Sequence, residues 1–248
     1  MNLQIFSFFS ILALIAFTTT ANADHFRAGI TAYEKGEHDE ALKQFQAALI
    51  TTEDAATHHN LALTFLKLEQ PADAIWQMER ALRLDPRNES YNYKLRTMRE
   101  QLGLFTVPTK WHQNAARLLL IDQWIILLTI STWTWLALVI LPKIAGTSIS
   151  YSLNFCRIIS FVLLLTSLPP LVVLSQARTY GIILSEVAVA VHAAPAIAAP
   201  NTGNARPGER AKVIERHESY LKIKTEGQAI GWISQDLFRA IDTRKPDA

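Results

Sequence analysis

Apolar and polar positions change rhythm four times along the 248 residues of the chain. Ile5 to Phe17 is a mostly apolar run, followed by three threonines and then Ala21-Asn22-Ala23. That order predicts a secretory signal peptide over residues 1–23, cleaved after Ala23, although no Lys or Arg precedes the run. From Asp24 to Gly103 the apolar positions recur at helical spacing. There "FRAGITAYEKGEHDEALKQFQAAL" aligns with "HNLALTFLKLEQPADAIWQMERALRLDP": Gly29 with Ala62, Ala41 with Ala74, Ala48-Leu49 with Ala81-Leu82, each offset being 33. A period of that size with small residues at fixed places predicts stacked helix pairs. Phe45, Phe65, Met78 and Leu82 supply the apolar stripe. Pro71 opens the last helix of the second pair and Asp85-Pro86 closes it. Two copies are fewer than a freestanding array needs, so a helix over Glu89 to Leu102 is expected to cap the stack. An amphipathic linker, 104–117, follows.

The third rhythm is continuous. Leu118 to Leu141 is apolar apart from Asp122, Gln123 and scattered hydroxyls, and Pro142-Lys143 stops it. Ile158 to Ala177 has no charged side chain and is bracketed by Arg157 and Arg178. At about 1.5 Å per residue each segment is long enough to cross a hydrocarbon layer of about 30 Å. The chain is therefore expected to span a membrane twice, at 118–141 and 158–177, with a short cytoplasmic loop over 142–157. That loop carries Lys143 and Arg157 and no acid, but Lys110 and Arg117 on the other flank leave the positive-inside rule almost neutral. The export signal decides: residues 24–117 and everything after 178 are expected on the periplasmic side of a bacterial inner membrane. Asp122 lies in the first turn of its span, within reach of the interface. A second reading, in which Asp122 and the kinking pair Pro169-Pro170 serve an oligomeric transporter or channel, stays open.

After Arg178 short β-branched runs alternate with Gly, Pro and Asn. Lys212-Val213-Ile214-Glu215 and Leu221-Lys222-Ile223-Lys224 alternate in polarity, and Glu226-Gly227 is a hairpin turn signal. Residues 178–248 are expected to form a small all-β barrel and tail, tethered by Thr179 to Ser185. Two roles are open for Trp232: a packed aromatic of the barrel core, or a contact for a partner.

Composition adds mostly exclusions. Apolar residues make up 50% of the chain and the mean hydropathy is positive, which makes membrane insertion the first expectation to test. With 24 basic and 22 acidic residues the net charge of +2 does not favour nucleic acid. Cys156 is the single cysteine, and the seven histidines fall in no metal-binding pattern. His58-His59 is the only adjacent pair, and neighbours on a helix diverge by about 100°. There is no phosphate-binding glycine loop and no G-x-S-x-G elbow. Neither an enzyme nor a cofactor is expected.

Leu61, Ala62, Phe65, Ala74, Ala81 and Pro86 occupy the signature positions of the tetratricopeptide repeat family, which the segment resembles. The first copy departs from it in lacking the closing Pro and in having Ala32 where an aromatic is usual. The resemblance implies a concave surface that grips a peptide or helix of a partner, with Tyr33, His59 and Lys67 as candidates on the first helix of each pair. The order "HAAP", "RPGERAKVIER", "YLKIK", "GWIS", "DLF" resembles bacterial SH3-like (SH3b) domains. Tyr220 stands where many members have Trp, so a shared ligand groove, with Tyr220 and Trp232 as its candidates, is weakened. The whole order is similar to the BatE-type proteins of the Bacteroides aerotolerance operon group. That likeness implies a membrane-anchored scaffold working beside von Willebrand A-type membrane proteins. The barrel's likeness keeps a second function open, peptidoglycan sensing by an adaptor that recruits a wall enzyme. The expected fold is thus a multi-domain membrane protein: an α-helical repeat solenoid, two transmembrane helices and a small SH3-like barrel.

Overall fold

The computed structural model of the chain describes residues 24–104, 115–116, 118–144, 151–177 and 179–242. The expected leader, most of the 104–117 linker and the last six residues lie outside them. The chain divides into two compact units: one joins residues up to 106 with those from 180 onward, and the other is the stretch between.

The first unit begins with five helices: α1 over residues 24–34, then α2 (His38–Thr51), α3 (Ala55–Lys67), α4 (Pro71–Leu84) and α5 (Glu89–Gln101). Their ends follow local chemistry. The Asp54 carboxylate accepts from the Thr57 amide at 2.9 Å, the Asn88 amide oxygen accepts from the Tyr91 amide at 3.2 Å, and Pro71 opens α4. The small residues that set the 33-residue period sit where helices approach: Ala41, Ala48, Ala62, Ala74 and Ala81 are all fully buried. A Cβ on Gly29 would stand 2.6 Å from the Phe45 ring. Leu61, Phe45 and Phe65 fill a first core with Ala32, Ala41 and Ala74.

Seven strands follow the apolar helices: β1 (Tyr180–Ile183), β2 (Val189–His192), β3 (Asn201–Ala205), β4 (Arg210–His217), β5 (Tyr220–Thr225), β6 (Ile230–Ser234) and β7 (Phe238–Ala240). All pairings are antiparallel and the order is β3-β2-β6-β5-β4-β1-β7. Ile183, Val191, Ala205, Ala211, Leu221, Ile223 and Ile233, with Phe238 against them, meet in one cluster. Every strand contributes to that cluster, so the sheet must curl around it. The expected hairpin is present: β5 and β6 are joined across Glu226–Ala229, where the Thr225 amide donates to the Ala229 carbonyl at 2.9 Å.

The segment Thr179 to Ser185 is not a tether. Tyr180–Ile183 forms β1, inserted between β4 and β7. Successive residues of a strand point to opposite faces. Ile183 enters the sheet core, while Ile182 joins Ala62, Ile75, Trp76, Met78, Ala81, Met98, Leu104 and Ile241 in a third cluster. That cluster is shared by helices and sheet. It explains why α4 buries Ala72, Ala74, Ile75, Trp76, Gln77, Met78, Arg80 and Ala81 and shows no solvent face of the usual width.

The second unit holds two long helices packed side by side, α6 (Ile121–Ile144) and α7 (Tyr151–Ala177). Ile121–Ile144 and Tyr151–Leu174 are each long and apolar enough to cross a membrane, with a mean hydropathy of 2.1. Trp135 and Phe161 meet at 5.7 Å between ring centroids, Ser131 and Ser167 are buried, and most of the apolar surface faces outward. Hydroxyls bond back to their own helix, as Ser131 does to Leu127 O at 2.7 Å and Thr129 to Ile125 O at 2.8 Å. This satisfies them without solvent. The helix bounds differ from the expected spans: α6 begins at Ile121, not 118, and continues through Pro142 to Ile144, and α7 begins at Tyr151. A polar first turn can be helical without being apolar, so hydropathy marks the span and not the helix. Helical structure also persists through Pro169-Pro170.

Ile75→Ala tests the shared cluster. Emptying this fully buried site costs about 2–5 kcal/mol. Helices and sheet of the first unit should lose structure in one calorimetric transition, before and after the substitution. Two separate transitions in the wild-type chain would contradict a common core.

Candidate functional site

The register of β5 and β6 places the most conspicuous aromatic. Leu221 faces Ile233 and both enter the sheet core, so Lys222 opposite Trp232 lies on the other face. Trp232 is 7% exposed, yet it is buried on the outside of the curl. The Lys222 ammonium lies 5.7 Å from its ring centroid, the His217 ring meets it edge-on at 6.2 Å, and His192 of β2 stands opposite it. His192 Nδ1 donates to the Ala199 carbonyl at 2.9 Å, which fixes the ring. Gly231 has a different task. A Cβ there would stand 2.4 Å from the His192 carbonyl, so only glycine lets β2 come this close to β6. Tyr220 shares the outer face two positions from Lys222, opposite Ser234 on one side and His217 on the other. Trp232 is thus buried, as a packed aromatic of the barrel would be, but among polar groups on the outer face and outside the cluster around Ile223 and Ile233.

The helical candidates lie apart from this face and from one another. Tyr33 is half-buried beside the first core, its ring 5.3 Å from that of His38. His59 stacks on Tyr91 of α5 at 4.8 Å, and Lys94 Nζ donates to its Nε2 at 2.7 Å. Burial, aided by the Lys94 charge, holds the His59 imidazole down at about 4. Lys67, in the last turn of α3, is exposed.

The polar contacts between helices and sheet bring several charged side chains together. Trp76 of α4 donates its Nε1–H to the Ala240 carbonyl of β7 at 3.0 Å. Its ring lies between two guanidinium groups, Arg239 at 4.8 Å and Arg80 at 5.1 Å. Arg239 also reaches Asp73 at 3.3 Å, and Arg83 pairs with Asp242. Arg99 of α5, with a side chain 6% exposed, binds Glu226 of the β5–β6 turn and Glu79 of α4. Burial raises the Glu226 carboxyl above its usual range, against the pull of Arg99 and Arg210. Arg206 donates to the Gly103 carbonyl at 3.0 Å. Gly208, at φ +72°, meets the Ile75 side chain where a Cβ would be 2.8 Å away. Glu226, read from sequence as a turn residue, is thus a partner of the helices. No local pattern marks it, because Arg99 is 127 residues away.

Residues 187–238 match the bacterial SH3 domain family. Comparison with curated proteins and with solved structures finds no match.

Two substitutions test these contacts. Arg99→Leu leaves Glu226 without its buried partner and should cost about 3 kcal/mol at neutral pH. Part of that loss should return as the pH is lowered, because burial raises the Glu226 carboxyl above its usual range and favours its protonation; denaturant titrations across the acidic range measure it. For His59 the folded state binds its proton less readily than the unfolded chain, near 4 against 6.5. Stability from this group is complete above about pH 6.5 and is lost as the pH falls towards 4. His59→Asn should flatten that part of the stability profile relative to wild type.

Proposed function

We propose that the chain is a membrane-anchored, periplasm-facing scaffold of the BatE type, with no catalytic role. Its helical segment and its SH3 sheet act as one adaptor head for other envelope proteins. The shared cluster around Ile75, Trp76, Ile182 and Ile241 is the observation that carries this reading. It joins the segment before the two apolar helices to the segment after them. Two segments packed on one another need to lie on one side of a bilayer, and two spans between them meet that need. The tetratricopeptide reading of the helices is supported by fully buried alanines at the 33-residue period and by the Gly29–Phe45 approach. Von Willebrand A-type membrane proteins are the partners proposed from the family resemblance.

A second reading is favoured by the match over 187–238: bacterial SH3 domains commonly bind peptidoglycan or proteins. In that reading the sheet holds a wall peptide and the helices recruit a wall enzyme.

Affinity capture with the full chain from detergent-solubilised membranes should recover a von Willebrand A-type protein. The Ile75→Ala variant, which loosens the head, should recover less. Reporter fusions after 103, 150 and 248 should place the first and third on the same, outer side. Failure to recover such a protein, together with co-sedimentation of the full chain with purified sacculi, would replace the scaffold by the wall adaptor.

A further inference from the structure

The outer face of the sheet is laid out as rows across β4, β5, β6 and β2. Lys212 stands directly opposite Lys224, which stands opposite Ile230. In the next row Glu215, Lys222, Trp232 and His192 follow one another. The β4–β5 hairpin, residues 210–224, carries five cationic residues against two acidic ones, a net of +3 by subtraction. Lys222 is neutralised by Glu215 at 3.4 Å. Lys212 and Lys224 have no ion pair among the described residues.

Like charges placed directly across two strands destabilise a sheet. A fold that needed only stability would put an acid or a neutral residue at one of these positions. Ile230, which continues the row, is 47% exposed, and Lys224 is exposed as well. The row therefore offers two ammonium groups that lack a carboxylate, followed by an apolar side chain that lacks cover. Lys222 and Lys224 are two residues apart on one strand, about 7 Å, which is also the spacing of alternate side chains in an extended peptide.

We propose that this face binds an extended acidic segment of a partner protein, with one carboxylate between Lys212 and Lys224 and a neighbouring apolar residue on Ile230. This rests on the scaffold reading and names the chemistry of its partner. A protein segment is favoured over a lipid surface because Trp232, the large aromatic of this face, is recessed beneath Lys222 and His217. An aromatic that anchored the face in a bilayer interface would stand proud of it. Towards β1 the outer face is closed by the helices through Ile182, so the row of lysines borders the part left open to a partner.

The test uses the full chain in neutral detergent and a fluorescent octapeptide of alternating Glu and Val, read by polarisation, with the Gln–Val and Lys–Val peptides as controls. The acidic peptide should bind and the controls should not, and added salt should weaken binding. Lys212→Glu and Lys224→Glu should each weaken binding about tenfold. Lys222→Glu should do less, since that lysine is already paired. Lys212→Glu places an acid opposite Lys224, so its melting temperature should not fall, which separates lost binding from lost folding. Equal binding of the Glu and Gln peptides, or indifference to both reversals, overturns the proposal. So does binding of phosphatidylglycerol vesicles or sacculi that the same reversals abolish while the peptide stays unbound. Recovery of a von Willebrand A-type protein by the double reversal would overturn this face as the site and leave the scaffold reading standing.

Discussion

The first unit depends on a four-residue strand that is apolar on both faces. Tyr180–Ile183 sends Ile183 into the sheet core and Ile182 into the core it shares with α4 and α5. Burying one such side chain contributes about 1.5–3 kcal/mol. The larger effect is geometric: two clusters that would be separate are tied to the same backbone. Around this strand the other contacts fall into place. Trp76 reaches the Ala240 carbonyl of the strand beside it, and Arg99 reaches the turn beyond β5. Gly208 lets the β3–β4 connection lie against Ile75.

Much of this architecture is legible in the sequence, and the illegible part has a common cause. The helices announce themselves through the alanine period, and β4 and β5 through alternation, because each has one wet face. β1 has none, so "YGII" shows no alternation and reads as a connector after a long apolar helix. For α4 the bounds are legible from Pro71 and Asp85-Pro86, but the stripe through Met78 and Leu82 does not show that nearly every side of it is covered. Ion pairs such as Arg83 with Asp242 are separated by 159 residues, and no local rule pairs them. Of the candidate residues, Tyr220 and Trp232 lie on one face of the sheet, while Tyr33, His59 and Lys67 do not converge. Their placement depends on helix packing, which a period gives only coarsely.

The Gly231-Trp232 pair shows how one dipeptide serves two ends. Glycine is required because β2 crosses near enough for a carbonyl to exclude a Cβ. Tryptophan then covers the polar outer face next to that crossing, where a lysine and a histidine close over it. A stretch that reads as core in sequence is therefore a junction between strands with an aromatic lid on its outer side.

The hydrogen bond between Trp76 and Ala240 closes a loop of 164 residues, with both long apolar helices inside it. Contacts of such separation form late, since the intervening chain must first be made and set in place. During synthesis, α4 therefore emerges with an apolar flank whose partner in β7 is made 164 residues later. Until β1 and β7 arrive, that flank is the surface an assembly factor or a chaperone would meet. Loss of β7 should consequently be felt first at α4, whose Trp76 it holds.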